Sequence, residues 1–316
     1  MSIKQAAGQA ARPRRRVRIT KNHMEIYLLF LPVVIWYVIF CYVPMGGIVI
    51  AFKNFKILKG ISGSKWVGLD NYAYLFSLPS FHQAVKNTIV MGIQRLVFAF
   101  PLPIVFAILL NEVSNLRFKK LVQTTSYLPH FISWSVAGGL VYMLLSPNTG
   151  AINNLIVLLG GQARNYIGMS RHFHLIVLLS HIWKHLGWSS IVFLAAITGV
   201  DEQLYDAAYI DGAGRFKRIW HVTLPSIRNT IAVMLILESG NILSVSFNQI
   251  YILINDAVLD TGETLDYFVY RMGLSKSQNF SVATAVSLIK SVVGLLMILG
   301  TNLAARRMTD GEGGIW

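Results

Sequence analysis

Four side chains in one apolar stretch are spaced for joint chemistry. His181, Lys184, His185 and Trp188 fall at i, i+3, i+4 and i+7, so on a helix they share one face. Two more polar faces accompany them. One carries Glu238, Asn241 and Asn248 with Ser244 beside them, the other Ser287, Lys290, Ser291 and Gly294. Two chemistries fit such sets. The first is glue between helices: Glu238 pairs with Lys184 or Lys290, and the Ser and Asn side chains link neighbours. The second is a polar path for a solute, with Lys184 and the histidines as polar contacts and Trp188 as an apolar wall for sugar faces. His181 and His185 also have the i, i+4 spacing of a metal-binding pair. No third ligand accompanies them, so no metal site is expected. No nucleophile, base and acid stand together, so no catalytic residues are expected either.

The elements that must hold these residues are apolar and long. Hydrophobic residues make up 54% of the 316 and charged residues 13%, against about a quarter charged in soluble domains. Mean hydropathy is +0.54. A soluble globule with so few charges could not cover its surface. Six apolar segments recur: 26–52, 88–111, 121–145, 174–200, 229–255 and 280–305. Each exceeds the ~20 residues needed to cross a bilayer. Without water in the bilayer core each must close its hydrogen bonds as a helix. The expected fold class is an all-α integral membrane protein with six transmembrane helices. Its expected parts are a basic tail (1–25), a six-span domain (26–305) and a short tail (306–316). Lys184 then lies ten residues into its span, ~15 Å deep. Arg95, near an outer end, is expected to snorkel.

The net charge of +14 would suggest nucleic acid in a soluble protein. Here it reports topology and contact with anionic lipid, and no nucleic acid partner is expected. Arg12, Arg14, Arg15, Arg16, Arg18 and Lys21 precede the first span. This reads as a retained anchor with the tail inside, and six spans return the C-terminus to the same side. The lone cysteine, Cys41, excludes an intrachain disulfide.

The loop 201–225 between the fourth and fifth spans is the most informative stretch. Asp201 to Ile210 is expected to form a short helix with acids in its first turn. Gly212 and Gly214 break it. Arg215 to Val222 is expected to form a second, ended by Pro225. Leu204, Tyr205, Ala207 and Ala208 are small or apolar where a solvated loop would be charged. The pair reads equally as a knob projecting from the membrane or as helices lying on headgroups.

Within this loop, Asp206-Ala207-Ala208, Gly212 four residues on, and Val222-Thr223-Leu224-Pro225 resemble the EAA motif. That motif marks permease subunits of bacterial binding-protein-dependent ABC importers of the maltose-permease type. Asp206 replaces the family's Glu and Val222 its Ile, both conservatively. Gly68-Leu69-Asp70-Asn71-Tyr72 is similar to a segment of the sugar-importer permeases. Tyr127 to Trp134 and Asp211 to His221 resemble the branch that imports complex oligosaccharides such as pectin and alginate fragments.

The resemblance implies a type I ABC importer permease fold in the bacterial inner membrane. It implies a coupling helix docked on an ATPase through Asp206, Ala207, Ala208, Asp211, Gly212, Ala213, Leu224 and Pro225. The implied partners are a second homologous permease, two cytoplasmic ATPases and an external solute-binding protein. ATP and Mg would sit on the ATPases and no cofactor on this chain, which has no G-x-x-x-x-G-K-[ST] phosphate loop. The implied cargo is an oligosaccharide. The surplus of intramembrane cations, Arg95, Lys184 and Lys290 against Glu238, favours an acidic one. The competing expectation is an ion-coupled secondary transporter working alone, for which no inverted repeat is evident.

Overall fold

The computed structural model describes residues 21–275 and 278–308. The basic residues Arg12 to Arg18 and the tail from 309 onward lie outside the described residues. The chain forms two units, Met1–Val49 and Ile50–Trp316.

The first unit is a helix. α1, Lys21–Tyr37, passes through a wide turn at Val38–Tyr42 into Val43–Met45. Leu28, Leu29, Phe30 and Trp36 are all exposed, as on a helix that is apolar all round and has lipid for a solvent.

The second unit opens with a two-stranded antiparallel ribbon. β1 (Lys53–Asn54) pairs with β2 (Lys65–Trp66). Gly68 takes φ +60° at the turn that follows, a conformation that favours glycine. Asn71, on α2 (Asp70–Ser77), donates to the carbonyls of Ala51 and Lys53 at 2.8 and 3.0 Å. The longer helices that follow are α3 (Pro79–Asn111), α4 (Leu116–Phe131), α5 (Trp134–Leu145), α6 (Ala151–Leu158), α7 (Ser170–Thr198), α8 (Glu202–Ile210), α9 (Arg215–Ser226), α10 (Arg228–Gly240), α11 (Phe247–Leu253), α12 (Leu265–Gly273) and α13 (Phe280–Met308).

Among the described residues, four helices are long and apolar enough to cross a membrane, and up to six if each of two bent pairs counts as one span. The fold class is therefore the expected one, but two spans are not straight. The third, expected unbroken over 121–145, turns through 105° between α4 and α5. The fifth, expected over 229–255, stops at Gly240 and is non-helical over 241–246 before α11 begins. Apolar composition sets where a span lies; it does not require an unbroken ladder, provided the freed backbone groups find partners inside the protein. α3 also starts nine residues before the expected Thr88. Arg95 does not snorkel: its side chain is 16% exposed and turns inward to the Ser244 carbonyl and Glu238.

α7 is the central element. Phe193 and Ile197 pack with Ile104, Ala107 and Ile108 of α3, and Phe173 and Val177 pack with Val245, Ile250 and Leu253. Gln249, fully buried, donates from α11 to the Val177 carbonyl and the Ser180 hydroxyl at 2.7 and 2.9 Å. A separate core joins Leu75, Phe81, Leu265, Phe268, Val282 and Val286.

Candidate functional site: two helix breaks, a polar cavity and a projecting loop

The first break is closed by Lys184. Helix α4 ends at Phe131, and its last carbonyls have no intrahelical partner. Lys184 Nζ donates to the carbonyls of Pro129, His130 and Ile132 at 3.1, 2.7 and 2.6 Å. An ammonium has three donors, and all three are used. The cation also sits where a helix C-terminus favours positive charge. On the far side of the break the Ser133 hydroxyl caps α5, accepting from Val136 N–H. Gly187, one turn along α7 from Lys184, lets the two helices touch: a Cβ there would lie 2.3 Å from the Ser126 carbonyl oxygen.

The structure therefore corrects both expectations for Lys184. It does not pair with Glu238, and at 4% exposure it presents no free cation to a solute. Trp188 stacks on His130 with centroids 4.4 Å apart and planes within 4°. His130 Nδ1 lies 3.3 Å from His185 Nδ1. Lys290 does not pair with Glu238 either; it meets Asp266 of α12 at 2.5 Å.

The second break is held by Arg95. Its guanidinium donates to the Ser244 carbonyl at 3.1 Å and reaches Glu238 Oε1 at 3.4 Å. Gly92, one turn back on α3, lets the unwound strand approach: a Cβ there would lie 2.2 Å from the Ile242 carbonyl oxygen. Asn241 is exposed and folds back onto the Leu237 carbonyl at 3.1 Å. Here, unlike at the first break, polar capacity is left over. Arg95 Nε and His181 Nδ1 are buried with no hydrogen-bond partner, and Glu238 stays 38% exposed. These groups line a cavity of about 380 Å³ with Trp134, His185, Ser244 and Ser246. It is in the size range of ligand pockets, about 300–1,000 Å³. Of the residues expected on a solute path, His181, His185 and Glu238 line this cavity. Lys184, Trp188, Asn241 and Lys290 do not. Arg95, expected to snorkel and counted among the intramembrane cations but not placed on the solute path, lines the cavity as well.

The loop 201–225 forms a knob. Asp201 caps α8, accepting from Gln203 N–H at 2.9 Å. Gly212 takes φ +72° at the corner, where Ala213 N–H bonds the Ala208 carbonyl at 2.9 Å. Helix α9 runs on to Ser226 through a wide turn at Ile219–Thr223 rather than ending at Val222. That turn spaces the backbone so that Pro225, which has no N–H to donate, fits in the helix. Tyr205 and Thr223 join α8 to α9 by a 3.0 Å hydroxyl contact. Tyr209, Ile210, Phe216 and Trp220 are 72, 84, 89 and 69% exposed. Asp206, Ala207, Ala208, Asp211, Gly212 and Ala213 lie together on or beside this outer surface, while Leu224 and Pro225 lie at the knob's root.

Residues 99–310 match the family model for the inner membrane component of binding-protein-dependent transport systems. The chain belongs to that family. It is 45% identical to the polygalacturonan/rhamnogalacturonan transport system permease protein YteP of Bacillus subtilis (strain 168), over 92% of this chain and 90% of that one. It is 41% identical to protein LplB of the same organism, over 93% and 92%. Among solved structures it matches a bacterial ABC transporter involved in import of the acidic polysaccharide alginate. The TM-score is 0.86 at 38% identity, covering 92% of this chain and 97% of that one. A second match, also at 0.86, is the alginate transporter in complex with an alginate pentasaccharide-bound periplasmic protein, at 37% identity over 93% and 98%. The chain is thus a multi-pass ABC importer permease, and a self-standing ion-coupled transporter is not favoured.

Proposed function

We propose that this chain is one of two permease subunits of an ATP-driven importer of acidic oligosaccharides. The observation that carries the reading is the pairing of a polar intramembrane cavity with a projecting loop on one α/α framework. The cavity borders a broken helix, and the break leads through α10 and α9 to the knob. Docking of Asp206 to Gly212 on an ATPase would move that connected set. ATP and Mg reside on two separate ATPase subunits. A solute-binding protein delivers sugar at the opposite face. Both termini lie in the cytoplasm of a bacterium, and the spans cross its inner membrane. The acidic cargo is supported by the relatives' uronate polymers and by Arg95, a guanidinium whose fork matches a carboxylate. Lys184 and Lys290 no longer contribute to it, because both are already partnered.

The test is uptake by the reconstituted complex of oligogalacturonates and neutral oligosaccharides of equal length. Preferential uptake of the acidic series is expected; equal uptake would remove the acidic assignment. Gly212→Val probes coupling. A β-branched residue is strained at φ +72°, so the corner must move. The complex should assemble while uptake falls about tenfold or more. Wild-type uptake by that variant would remove the docking assignment.

A further inference from the structure

A second polar and aromatic surface lies where α11, α12 and the start of α13 meet. Phe247 and Tyr251 come from α11, Tyr267 and Tyr270 from α12. Phe247 stands 5.5 Å from Tyr251 and 5.4 Å from Tyr270, and Tyr251 stands 5.3 Å from Tyr270 and 6.5 Å from Tyr267. The rings touch one another, yet Tyr251 remains 46% exposed. Beside them is a mostly apolar cavity of about 440 Å³ walled by Phe247, Val269, Tyr270, Leu274 and Phe280, with Asp266, Thr284 and Ser287 as its polar groups. Asp266 holds Lys290, and the two side chains keep 25 and 20% exposure.

This combination selects among occupants. A lipid chain gains nothing from a carboxylate and two hydroxyls in its wall. A packed helix would have to desolvate those groups without replacing their water. A sugar ring suits both parts of the wall: an apolar face for the aromatic rings and hydroxyls that donate to Asp266 and exchange hydrogen bonds with Thr284 and Ser287. The two cavities are lined by neighbouring residues at the start of α11. Ser246 lines the first cavity and Phe247, the next residue, lines this one. An extended cargo must be held over more than one ring.

We propose that Phe247, Tyr251 and Tyr270, with Asp266 held by Lys290, form a second sugar-binding subsite that receives the trailing rings of an oligosaccharide. This rests on the importer reading above. It assigns to the platform the length of cargo held, and leaves the choice of acidic over neutral sugar to the cavity at Arg95.

The experiment uses the complete reconstituted importer with di- and pentagalacturonate. Tyr251→Leu/Tyr270→Leu keeps apolar bulk but removes the rings. The half-saturating concentration for the pentamer should rise about tenfold, the loss of two stacking contacts, with the dimer little changed. Tyr251→Phe/Tyr270→Phe keeps the rings and should stay close to wild type for both. Unchanged pentamer uptake in the Leu variant, or equal losses for dimer and pentamer, would overturn the subsite. So would separation of the two permeases in either variant, which would make the patch a subunit interface. A wild-type complex that imports neither oligomer would fail the importer reading itself, and the platform with it. A wild-type complex that imports both, beside an unaltered Leu variant, would fail the platform alone.

Discussion

The two helix breaks are built from the same parts and end in opposite states. Each has a cation and a glycine three residues apart on a neighbouring helix: Lys184 and Gly187 on α7, and Arg95 and Gly92 on α3, where Arg95 opens a wide turn over Arg95–Ala99. In each the glycine admits a backbone carbonyl and the cation satisfies carbonyls freed by the break. At the first break three ammonium donors meet three carbonyls, and nothing is left over. At the second the guanidinium bonds one carbonyl and one distant carboxylate, and its Nε is orphaned beside a cavity. In a medium without water, a buried group that is left unpartnered is costly. The first break is therefore a finished joint, and the second keeps a donor, Arg95 Nε, open to a further partner. A charge inside a membrane is a functional candidate by default; what separates glue from path is whether its hydrogen-bonding capacity is exhausted.

The largest expected effect comes from emptying the finished joint. Lys184→Met keeps the length of the side chain and leaves the carbonyls of Pro129, His130 and Ile132 unpaired. At about 1–3 kcal/mol for each buried unsatisfied group, the loss is several kcal/mol. The variant should accumulate poorly and melt well below the wild type in detergent. A melting temperature within a degree or two of wild type would show that the carbonyls have other partners, and would end the distinction between the two breaks.

The glycines sharpen the same comparison. Gly187→Ala places a Cβ 2.3 Å from a carbonyl at the closed joint, and Gly92→Ala places one 2.2 Å from a carbonyl at the open joint. The neighbour in both cases is backbone, so something must shift, at about 1–3 kcal/mol. The two should separate by phenotype. Gly187→Ala should lower thermal stability. Gly92→Ala, whose neighbour is a strand already unwound, should lose less stability and more uptake. Matching stability losses measured side by side would contradict that difference.

The sequence showed where the membrane helices lie and where the loop between the fourth and fifth spans turns its corner, because apolar length and a glycine corner are local properties. It did not show the breaks. The run from Tyr127 to Trp134 has the composition of a span, and the lysine that ends α4 is more than fifty residues away. Partner choice was equally hidden. Glu238 was expected with Lys184 or Lys290 on the rule that opposite intramembrane charges meet. Its actual partner, Arg95, was counted among the intramembrane cations but expected to snorkel, because the pairing joins two spans 143 residues apart and leaves no local signal. The face containing His181, Lys184 and His185 was read correctly as a face, but a face does not fix depth. The two histidines reach the cavity and the lysine between them turns into the protein.

The smallest effect on stability and the sharpest on function should come from the open joint. Arg95 and Glu238 are 3.4 Å apart with 16 and 38% of their side chains exposed. Glu238 keeps over a third of its surface exposed and Arg95 keeps its bond to the Ser244 carbonyl, so Glu238→Gln should lower melting less than Lys184→Met, which strips three carbonyls at once. It removes the carboxylate that competes with an acidic solute for Arg95 and leaves the guanidinium less neutralised. Uptake of oligogalacturonates should then shift toward tighter half-saturation, by about threefold to tenfold for the weakening of one such contact. Neutral oligosaccharides should not follow. Arg95→Gln should act in the opposite direction, with acidic uptake lost more than neutral. Parallel changes for both sugar types, or a collapse in stability as large as that of Lys184→Met, would mean that the second break is as closed as the first. The solute path would then have to be sought elsewhere in the chain.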